Sequence, residues 1–379
     1  MSQAYRIQKN KADRAYYNDF IKSFPDYCQE YFRILLSHNE VRSAITYASN
    51  LKSFFEYLML QINGQIDEKG TPLPGSNHKN KIFSIHEVPF EWVEHQTIYD
   101  FYGYLEYLTD YEKDGISYHN GDVTKHHKLS ALRLFYDFLE STKQIEKNNA
   151  RFVRPKRLKP KEIIVLSQDE ISTLINYMDD LEDSLRNDAE AETASRSAQQ
   201  RYNFYKMYKF RDQCIIRLLL GTGIRLSELI GLDLSDINFD EKKLQIVRKG
   251  GGEDHVFFNQ EVASALHAYL NLERKHLLRP DVPTNALFLS NRGGRISQRT
   301  VQKMVQKYVS EALPKRADEI SVHKLRSSFA TEAYANTRDI YAVSKALGHS
   351  SLAMVTRYAK AEDQDKKRVA ESISLKSQK

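Results

Sequence analysis

Apolar and aromatic residues recur at steps of three and four along much of the amino-terminal part of the chain. One such stretch carries Leu51, Phe54, Phe55, Leu58 and Ile62. This spacing places apolar side chains on one face, so each stretch predicts an amphipathic helix that buries that face. The four predicted helices run over about residues 14–37, 43–62, 95–113 and 123–143. Residues 64–89 lack this period and contain several glycines and prolines, which predicts a long loop.

The carboxy-terminal part of the chain is also mainly helical in its pattern. Ser167 and Glu170 stand three residues apart before an apolar run, the signature of a capping box at the start of a helix. Over residues 243–259 the period changes to two on either side of three glycines, which predicts a β-hairpin. A short apolar piece at 286–290 adds either a strand or a loop. The predicted fold class is therefore mainly α, with four helices first and then a mostly helical part that holds a small antiparallel β-sheet.

Length and charge divide the chain into two parts. The 379 residues, 41% of them hydrophobic, suit two domains with their own cores. The net charge is +6, yet residues 143–161 alone hold eight Lys or Arg and one Glu, a net +7. We expect an amino-terminal domain over residues 1–150, a basic linker over 151–164 and a second domain over 165–379. The basic run favours a linker that follows phosphates, and a solvated surface is the alternative.

The sequence lacks the marks of several classes of protein. Two cysteines, Cys28 and Cys214, suit a reducing compartment without disulfides. The amino terminus has no apolar signal region and no stretch is long enough to span a membrane, so we expect a soluble cytoplasmic protein. There is no Gly-x-x-x-x-Gly-Lys-Ser/Thr loop for a nucleotide, and the histidines lack metal-site spacing. No cofactor and no metal are expected.

The residues with the clearest chemistry lie in the last part of the chain. They are Arg225 in Gly-Thr-Gly-Ile-Arg-Leu-Ser-Glu-Leu, Lys249 at the glycine-rich turn, His323 and Arg326 in His-Lys-Leu-Arg, His349 in Leu-Gly-His-Ser-Ser, and Tyr358 in Thr-Arg-Tyr-Ala-Lys. Cationic side chains offset the charge of a phosphodiester, and a tyrosine can hold the phosphate covalently. This combination predicts DNA strand transfer. For Arg225 alone, an ion pair with Glu228 on its own helix is the alternative, and both can hold.

The ordered set of these residues resembles the tyrosine recombinase (phage-integrase-like) family, whose motif order is Arg, Lys, His-x-x-Arg, His or Trp, Tyr. The resemblance covers about residues 165–365, and the phrases around Arg225 and His349 look most like the Xer branch, which resolves chromosome dimers. It implies that Arg225 and Arg326 clamp the phosphate while His323 assists proton transfer. It also implies that Lys249 is the general acid, with Arg248 as the alternative, that His349 bonds the phosphate and that Tyr358 is the nucleophile.

The same resemblance implies an architecture and partners. An amino-terminal four-helix (SAM-like) core-binding domain and the catalytic domain would clamp double-stranded DNA with paired half-sites. A homotetramer on two duplexes would exchange strands through a 3′-phosphotyrosyl bond and a Holliday junction, with an accessory protein as a possible partner. The terminal segment 361–379 would pass into a neighbouring copy. The expected role is chromosome dimer resolution; the alternatives are integration or excision of a mobile element, a type IB topoisomerase, or a DNA-binding protein without catalysis.

Candidate DNA-facing positions are polar residues on two amino-terminal helices and in the basic linker. They are Thr46, Tyr47, Asn50, Lys125, Lys128, Arg154, Lys156 and Arg157. Solvated helix faces have the same composition, which is the alternative for the helical ones. We expect the stripe Tyr99, Tyr102, Leu105 and Leu108 to pack in the core rather than to stack on bases.

Overall fold

The computed structural model describes residues 3–67, 82, 84–113, 115–158, 163–191, 195–248 and 251–348. The chain divides into two compact units. One comprises Ile7–Pro160, and the other comprises Lys161–Lys379 together with Met1–Arg6. The division at residue 160 falls within the segment 151–164, which the sequence analysis interprets as a linker.

The amino-terminal unit is helical with one small hairpin. Its helices are α1 (Gln3–Phe20), α2 (Gln29–His38), α3 (Val41–Ile62), α4 (Phe90–Glu94), α5 (Ile98–Tyr107) and α6 (Asp122–Ser141). Strands β1 (Asp110–Lys113) and β2 (Ile116–His119) pair antiparallel between α5 and α6. Short 3₁₀ turns occupy Ile21–Ser23, Asp26–Cys28, Ile85–Glu87 and Asn149–Phe152.

Two predicted helix boundaries in this unit are wrong. The single helix expected over 14–37 is divided into α1 and α2 by 3₁₀ turns around Pro25, a residue that has no N–H and whose ring obstructs a continuing helix. The helix expected over 95–113 begins at a capping box between Thr97 and Asp100 and ends at Tyr107. Its expected last turn is instead strand β1. An Asp-Gly pair at 114–115 is the sequence signal of this hairpin, and hydrophobic periodicity alone does not reveal it.

Aromatic side chains fill the core of the amino-terminal unit. Phe54 packs against Phe101, Tyr104 and Tyr136 with ring centroids 5.2–6.3 Å apart, and all four are fully buried or nearly so. The hydroxyl of Tyr136 donates to the Val93 carbonyl at 2.8 Å, so its polar end is satisfied inside the core. Packing of this kind gives the unit a core of its own.

The aromatic stripe predicted on α5 is only half buried. Leu105 and Leu108 lie in the core as expected. Tyr99 is 85% exposed and Tyr102 is 41% exposed, so the expectation that they pack in the core is wrong. Tyr102 uses its hydroxyl instead to accept from the backbone N–H of Arg154 at 2.9 Å. The chain's one tryptophan, Trp92, lies in α4 and is 40% exposed.

The second unit is mostly helical around a small sheet. Its helices are α7 (Gln168–Glu190), α8 (Arg196–Thr222), α9 (Leu226–Ile230), α10 (Gln260–Ala268), α11 (Arg274–Leu277), α12 (Gln298–Ala312), α13 (Val322–Thr337) and α14 (Ile340–Leu347). Strands β3 (Ile237–Asn238), β4 (Lys243–Val247) and β5 (Glu253–Phe257) form one antiparallel sheet in the order β3-β4-β5. A π-helical turn spans Tyr269–Glu273, and 3₁₀ turns span Leu234–Asp236 and Pro314–Arg316.

The sequence signals located the start of α7 and the hairpin β4–β5. The capping box of Ser167 and Glu170 starts α7, as predicted. The predicted hairpin is β4 and β5, in which Leu244 and Val256 are paired and both buried. Helix α8 packs against α7, α10 and α13, so its end is fixed on several sides. The piece at 286–290 forms only isolated bridges, one of them at Ala286, and is therefore a loop rather than a strand.

Both cysteines are buried and free, and they lie in different units. Burial raises the pKa of the Cys28 and Cys214 thiols above the ordinary value, so both are held as neutral, apolar side chains. Among the helices within the described ranges, none is both long and apolar enough to cross a bilayer.

Candidate active site

A glycine turn between α8 and α9 sets the position of Arg225. Helix α8 ends at Thr222, and Gly223 follows in the left-handed conformation with φ of 60°. A Cβ on Gly223 would lie 2.4 Å from Cδ1 of Phe329, so only glycine fits both the backbone angle and the space. Two residues later Arg225 is the N-cap of α9. The turn at Gly223 therefore ends α8 and places Arg225 at the start of α9.

The guanidinium of Arg225 is held on two sides and open on a third. Its Nη1 donates to Oε1 of Glu228 at 2.9 Å, and its Nη2 donates to the Gly348 carbonyl at 3.2 Å. Its backbone N–H donates to the other oxygen of Glu228 at 3.0 Å. The side chain stays 30% exposed. The ion pair with Glu228 that the sequence left as an alternative is thus present, and it leaves part of the guanidinium accessible.

Helix α13 carries the second pair of candidate residues. Arg326 is only 4% exposed and donates from Nη1 to the Gly223 carbonyl and from Nη2 to the Leu347 carbonyl, the latter at 2.7 Å. His323 lies one turn earlier and is exposed. Partial desolvation, together with the charges of Arg326, Lys324 and Arg225, lowers the pKa of His323 below its ordinary value. The imidazole is therefore neutral at neutral pH.

Three arginines meet at the carboxy-terminal end of α14. The carbonyls of Ala346, Leu347 and Gly348 accept from Arg248 at 3.1 Å, Arg326 at 2.7 Å and Arg225 at 3.2 Å. Carbonyls at this end of a helix lack partners within the helix and carry the negative end of its dipole, so they are natural acceptors for guanidinium groups. One helix end thereby gathers cations from the α8–α9 turn, from α13 and from the residue after β4.

Arg248, the alternative to Lys249 as the cation of the hairpin, is held by several protein groups. Its Nε donates to Oδ2 of Asp254 at 2.8 Å, and its Nη1 lies 3.3 Å from Oε2 of Glu228. The alternation of β4 indicates which way Arg248 faces. Leu244 and Ile246 are buried on one face of the strand, and residue 248 falls on the same face. Glu228, 2% exposed, is thus shared by Arg225 and Arg248.

Three of the candidate catalytic residues, Lys249, His349 and Tyr358, lie outside the described residues. Two of them adjoin residues that are described. Lys249 follows Arg248 in the sequence, and His349 follows Gly348. The structure therefore brings together Arg225, His323 and Arg326. It also places Arg248 and Gly348, the residues that precede Lys249 and His349 in the sequence.

The candidate DNA-facing residues of the amino-terminal unit differ in how available they are. Thr46 is exposed on α3 and donates to the Arg42 carbonyl at 2.9 Å, while Tyr47 and Asn50 on the same helix are partly buried. On α6, Lys125 donates to the Thr109 hydroxyl. Burial lowers the pKa of Lys128, against the opposing effect of Glu56.

The basic segment is the most accessible of these candidates. Arg154, Lys156 and Arg157 are all exposed. The backbone of this segment is anchored by the Arg154 N–H, which donates to the Tyr102 hydroxyl at 2.9 Å, and by the Lys156 carbonyl, which lies 2.8 Å from Nε2 of His126. Arg154 Nη1 also donates to the Arg151 carbonyl at 2.7 Å. Among the described side chains, no group of three or more His, Cys, Asp or Glu is placed to hold a metal ion.

Comparison with known proteins agrees with this arrangement. The sequence model of the phage integrase family matches residues 165–365, which is more than half of the chain. The chain belongs to this family. The tyrosine recombinase XerC of Caldanaerobacter subterraneus subsp. tengcongensis is 30% identical over 281 residues, covering 74% of this chain and 69% of its own length. The tyrosine recombinase XerS of Streptococcus gordonii is 31% identical over 289 residues, covering 72% of this chain and 78% of its own length.

A solved structure shows the same fold. The crystal structure of the XerH site-specific recombinase bound to palindromic difH substrate matches with a TM-score of 0.59 at 21% identity, covering 88% of this chain and 81% of that chain. The expected fold class, mainly helical with a small antiparallel sheet, is confirmed. This phage integrase family member is a site-specific tyrosine recombinase, most like the Xer branch.

Proposed function

We propose that this recombinase breaks and rejoins duplex DNA through a 3′-phosphotyrosyl bond to Tyr358. The observation that carries the proposal is the convergence of Arg225 and Arg326 on the end of α14, directly before His349 in the chain. Two guanidinium groups at one point match the charge that a phosphodiester develops as its phosphorus becomes five-coordinate. Tyr358 stands nine residues after His349, within the family motif.

Each residue then has a defined part in cleavage. The Tyr358 hydroxyl gives up its proton, with His323 as the acceptor, and its oxygen bonds to phosphorus while the bond to the 5′ oxygen breaks. Lys249 gives a proton to that departing oxygen. Arg225, Arg326 and His349 hold the nonbridging oxygens. Because the phosphotyrosyl bond keeps the energy of the broken linkage, the reverse attack by a 5′ hydroxyl reseals DNA without a nucleotide cofactor.

The contacts of Arg248 support Lys249 as the general acid. A guanidinium holds its proton tightly at any ordinary pH, which makes it a poor proton donor. Arg248 is also engaged by Glu228, Asp254 and the Ala346 carbonyl. A lysine ammonium, by contrast, can release a proton to the leaving oxygen, and neighbouring cations make that release easier.

We place the biological role in the resolution of chromosome dimers. The relatives named XerC and XerS, at 30% and 31% identity, support this role over integration of a mobile element. The substrate is then double-stranded DNA with paired half-sites, bound by four copies of the chain on two duplexes. The amino-terminal domain (residues 1–150), the basic linker (151–164) and the catalytic domain (165–379) are each proposed to contact DNA.

A covalent-adduct assay tests the proposal. The probe is a nicked suicide duplex that carries the chromosomal segment to which the protein crosslinks in its host. The native chain is expected to form a protein–DNA adduct, and Tyr358→Phe is expected to form none because the nucleophilic oxygen is absent. Tyr341→Phe, which removes an exposed hydroxyl on α14, is the matched control and should react normally. An adduct that persists in Tyr358→Phe would overturn the assignment.

A second assay separates recombination from topoisomerase activity. The native chain is given a synthetic Holliday junction built from two copies of the same segment. A recombinase resolves it into exchanged duplexes, whereas a type IB topoisomerase reseals the strand that it cut. Cutting and resealing of the original strands without any exchanged product would contradict the proposed function.

A further inference from the structure

Arg248 is held by three protein groups around its guanidinium. Its Nε donates to Asp254 at 2.8 Å, its Nη1 faces Glu228 at 3.3 Å and its Nη2 donates to the Ala346 carbonyl at 3.1 Å. The side chain is 11% exposed. All three nitrogens of the guanidinium thus have a protein partner, and its low exposure leaves little surface for a phosphate.

The charge of Glu228 explains why Arg248 matters to Arg225. A buried carboxylate is costly unless both oxygens are compensated. Oε1 receives Arg225 Nη1 at 2.9 Å, while Oε2 receives the backbone N–H of Arg225 at 3.0 Å and the side chain of Arg248. Without Arg248, the carboxylate would draw the Arg225 guanidinium into a two-pronged pair. That pairing would take the donors of Arg225 away from the scissile phosphate.

Arg248 also supports the helix end on which the three arginines meet. A Cβ on Gly348 would lie 2.4 Å from Nε of Arg248, so the guanidinium rests directly against the backbone that precedes His349. Asp254 fixes the guanidinium from the opposite strand of the hairpin. Burial acts to raise the pKa of Asp254, but hydrogen bonds and the charge of Arg248 outweigh it and hold that pKa below its ordinary value.

We propose that Arg248 is a positioning residue for strand cleavage. It neutralises the side of Glu228 that the Arg225 side chain does not use and it steadies the end of α14, so that the Arg225 guanidinium keeps a free face for the scissile phosphate. The proposal rests on the proposed function, because it assigns Arg248 a role in that same reaction. It makes Arg248 a residue that acts through Arg225 and never exchanges a proton with DNA.

The first experiment measures the rate of adduct formation on the suicide duplex, and DNA affinity separately. Arg248→Ala is expected to slow adduct formation by about 30-fold or more while affinity changes by less than about threefold. Adding Glu228→Gln removes the carboxylate that Arg248 balances. The double variant is therefore expected to react about fivefold faster than Arg248→Ala alone. A double variant as slow as the product of the two single effects would overturn the proposal.

A modified leaving group separates positioning from proton donation. In a duplex whose scissile 5′ bridging oxygen is replaced by sulfur, the thiolate departs without a proton, so a general acid is no longer needed. Lys249→Ala is expected to recover on this substrate. Arg248→Ala is expected to remain slow, because Arg225 is still misplaced. Full recovery of Arg248→Ala on the sulfur substrate would show that Arg248 is the acid and would sink the positioning role.

Two further variants serve as a control and as a substitute for Arg248→Ala. Arg217→Ala is the matched control, because Arg217 is similarly shielded and pairs with Asp179 through Nη2 at 2.6 and 2.7 Å on a different part of the unit. It should react as the native chain does. If Arg248→Ala does not fold, Arg248→Lys replaces it; the single ammonium cannot reach three partners, so a slowing of about tenfold with an unchanged melting temperature is expected.

Failure of the inference and failure of the proposed function give different results. If the native chain and Arg217→Ala form no adduct, the proposed function fails. If both react and the Arg248 variants react equally fast, only the role of Arg248 fails.

Discussion

At the scale of single residues, the site arginines differ in what holds them. Arg326 donates to the backbone carbonyls of Gly223 and Leu347 and is almost fully buried. Arg225 shares its charge with Glu228 and remains partly exposed. Arg326 is therefore the more deeply buried of the two guanidinium groups, and Arg225 is the more exposed one. Replacing either by lysine removes the fork that spans two acceptors at once.

The lowered pKa of His323 predicts the acid limb of the reaction. Since desolvation and cationic neighbours disfavour the imidazolium, the neutral form persists below the ordinary pKa of about 6.5. Adduct formation is expected to fall only as the pH drops through that lowered pKa. Lys324→Gln removes one of the neighbouring charges, so it should move the acid limb to higher pH. Rates measured on the suicide duplex between about pH 5 and 8 check this.

If the acid limb of the pH–rate profile stays at the same pH in Lys324→Gln but is absent in His323→Gln, the titrating group is His323. The charge of Lys324 then has no effect on the pKa of His323. A limb unchanged in both variants would remove His323 from proton transfer altogether.

Residue types revealed the cations of the site and one partner, Glu228, but not the backbone carbonyls that hold the arginines. Arg225, His323 and Arg326 stood out because their motifs are short and ordered. The carbonyls of Ala346, Leu347 and Gly348 could not stand out, since every residue carries a carbonyl and only the folded chain decides which helix end is near. Arg248 could be named beside Lys249 in the sequence, but its sharing of Glu228 depends on the distance between β4 and α9 in the fold.

At the scale of elements, turns control where the site residues lie. Periodicity located the hairpin β4–β5, and the capping box located the start of α7. Periodicity did not locate the break at Pro25 or the hairpin β1–β2, because apolar residues continue at helical steps across both. There the local chemistry of proline and of Asp-Gly overrides the pattern. Periodicity thus predicts that an element exists better than it predicts where the element ends.

Gly223 is the turn on which the site depends most. Gly223→Ala is expected to lower the free energy of unfolding by about 2–4 kcal/mol, from the left-handed backbone angle and from overlap with Phe329. Gly252→Ala is the matched control, because no atom lies within 4 Å of its added methyl group and its φ is not positive. Denaturant unfolding of both variants measures the difference. Equal stability of the two would contradict the account of the turn.

At the scale of the whole molecule, the candidate DNA-binding cations fall into two groups that differ in burial. The site cations lie in the second unit, while the exposed cations Arg154, Lys156 and Arg157 lie at the end of the first. Their side chains are exposed, so they contribute little to the core and are available to a partner. The division of the chain at residue 160 comes directly after them.

Salt dependence tests the basic segment. Changing Arg154, Lys156 and Arg157 to Gln together is expected to weaken DNA binding and to flatten the slope of log affinity against log salt by up to about 2.7, or about 0.9 for each phosphate that is no longer neutralised. The control variant has Arg186, Arg201 and Lys206 changed to Gln, which removes the same amount of charge. Arg186 lies within the acidic stretch 179–192, and the other two residues follow it. Its slope should match that of the native chain. Equal flattening in both variants would mean that only net charge matters.

The position of Trp92 gives the two units different optical signatures. Because the chain has one indole and α4 carries it, ultraviolet emission near the red edge of the protein spectrum originates in the amino-terminal unit alone. The ring is partly open to water, so quenchers and nearby bases alter its brightness. The second unit contains no tryptophan and does not contribute to this emission. A stopped-flow trace of this emission therefore times the arrival of DNA at one half of the enzyme, independently of the chemistry in the other.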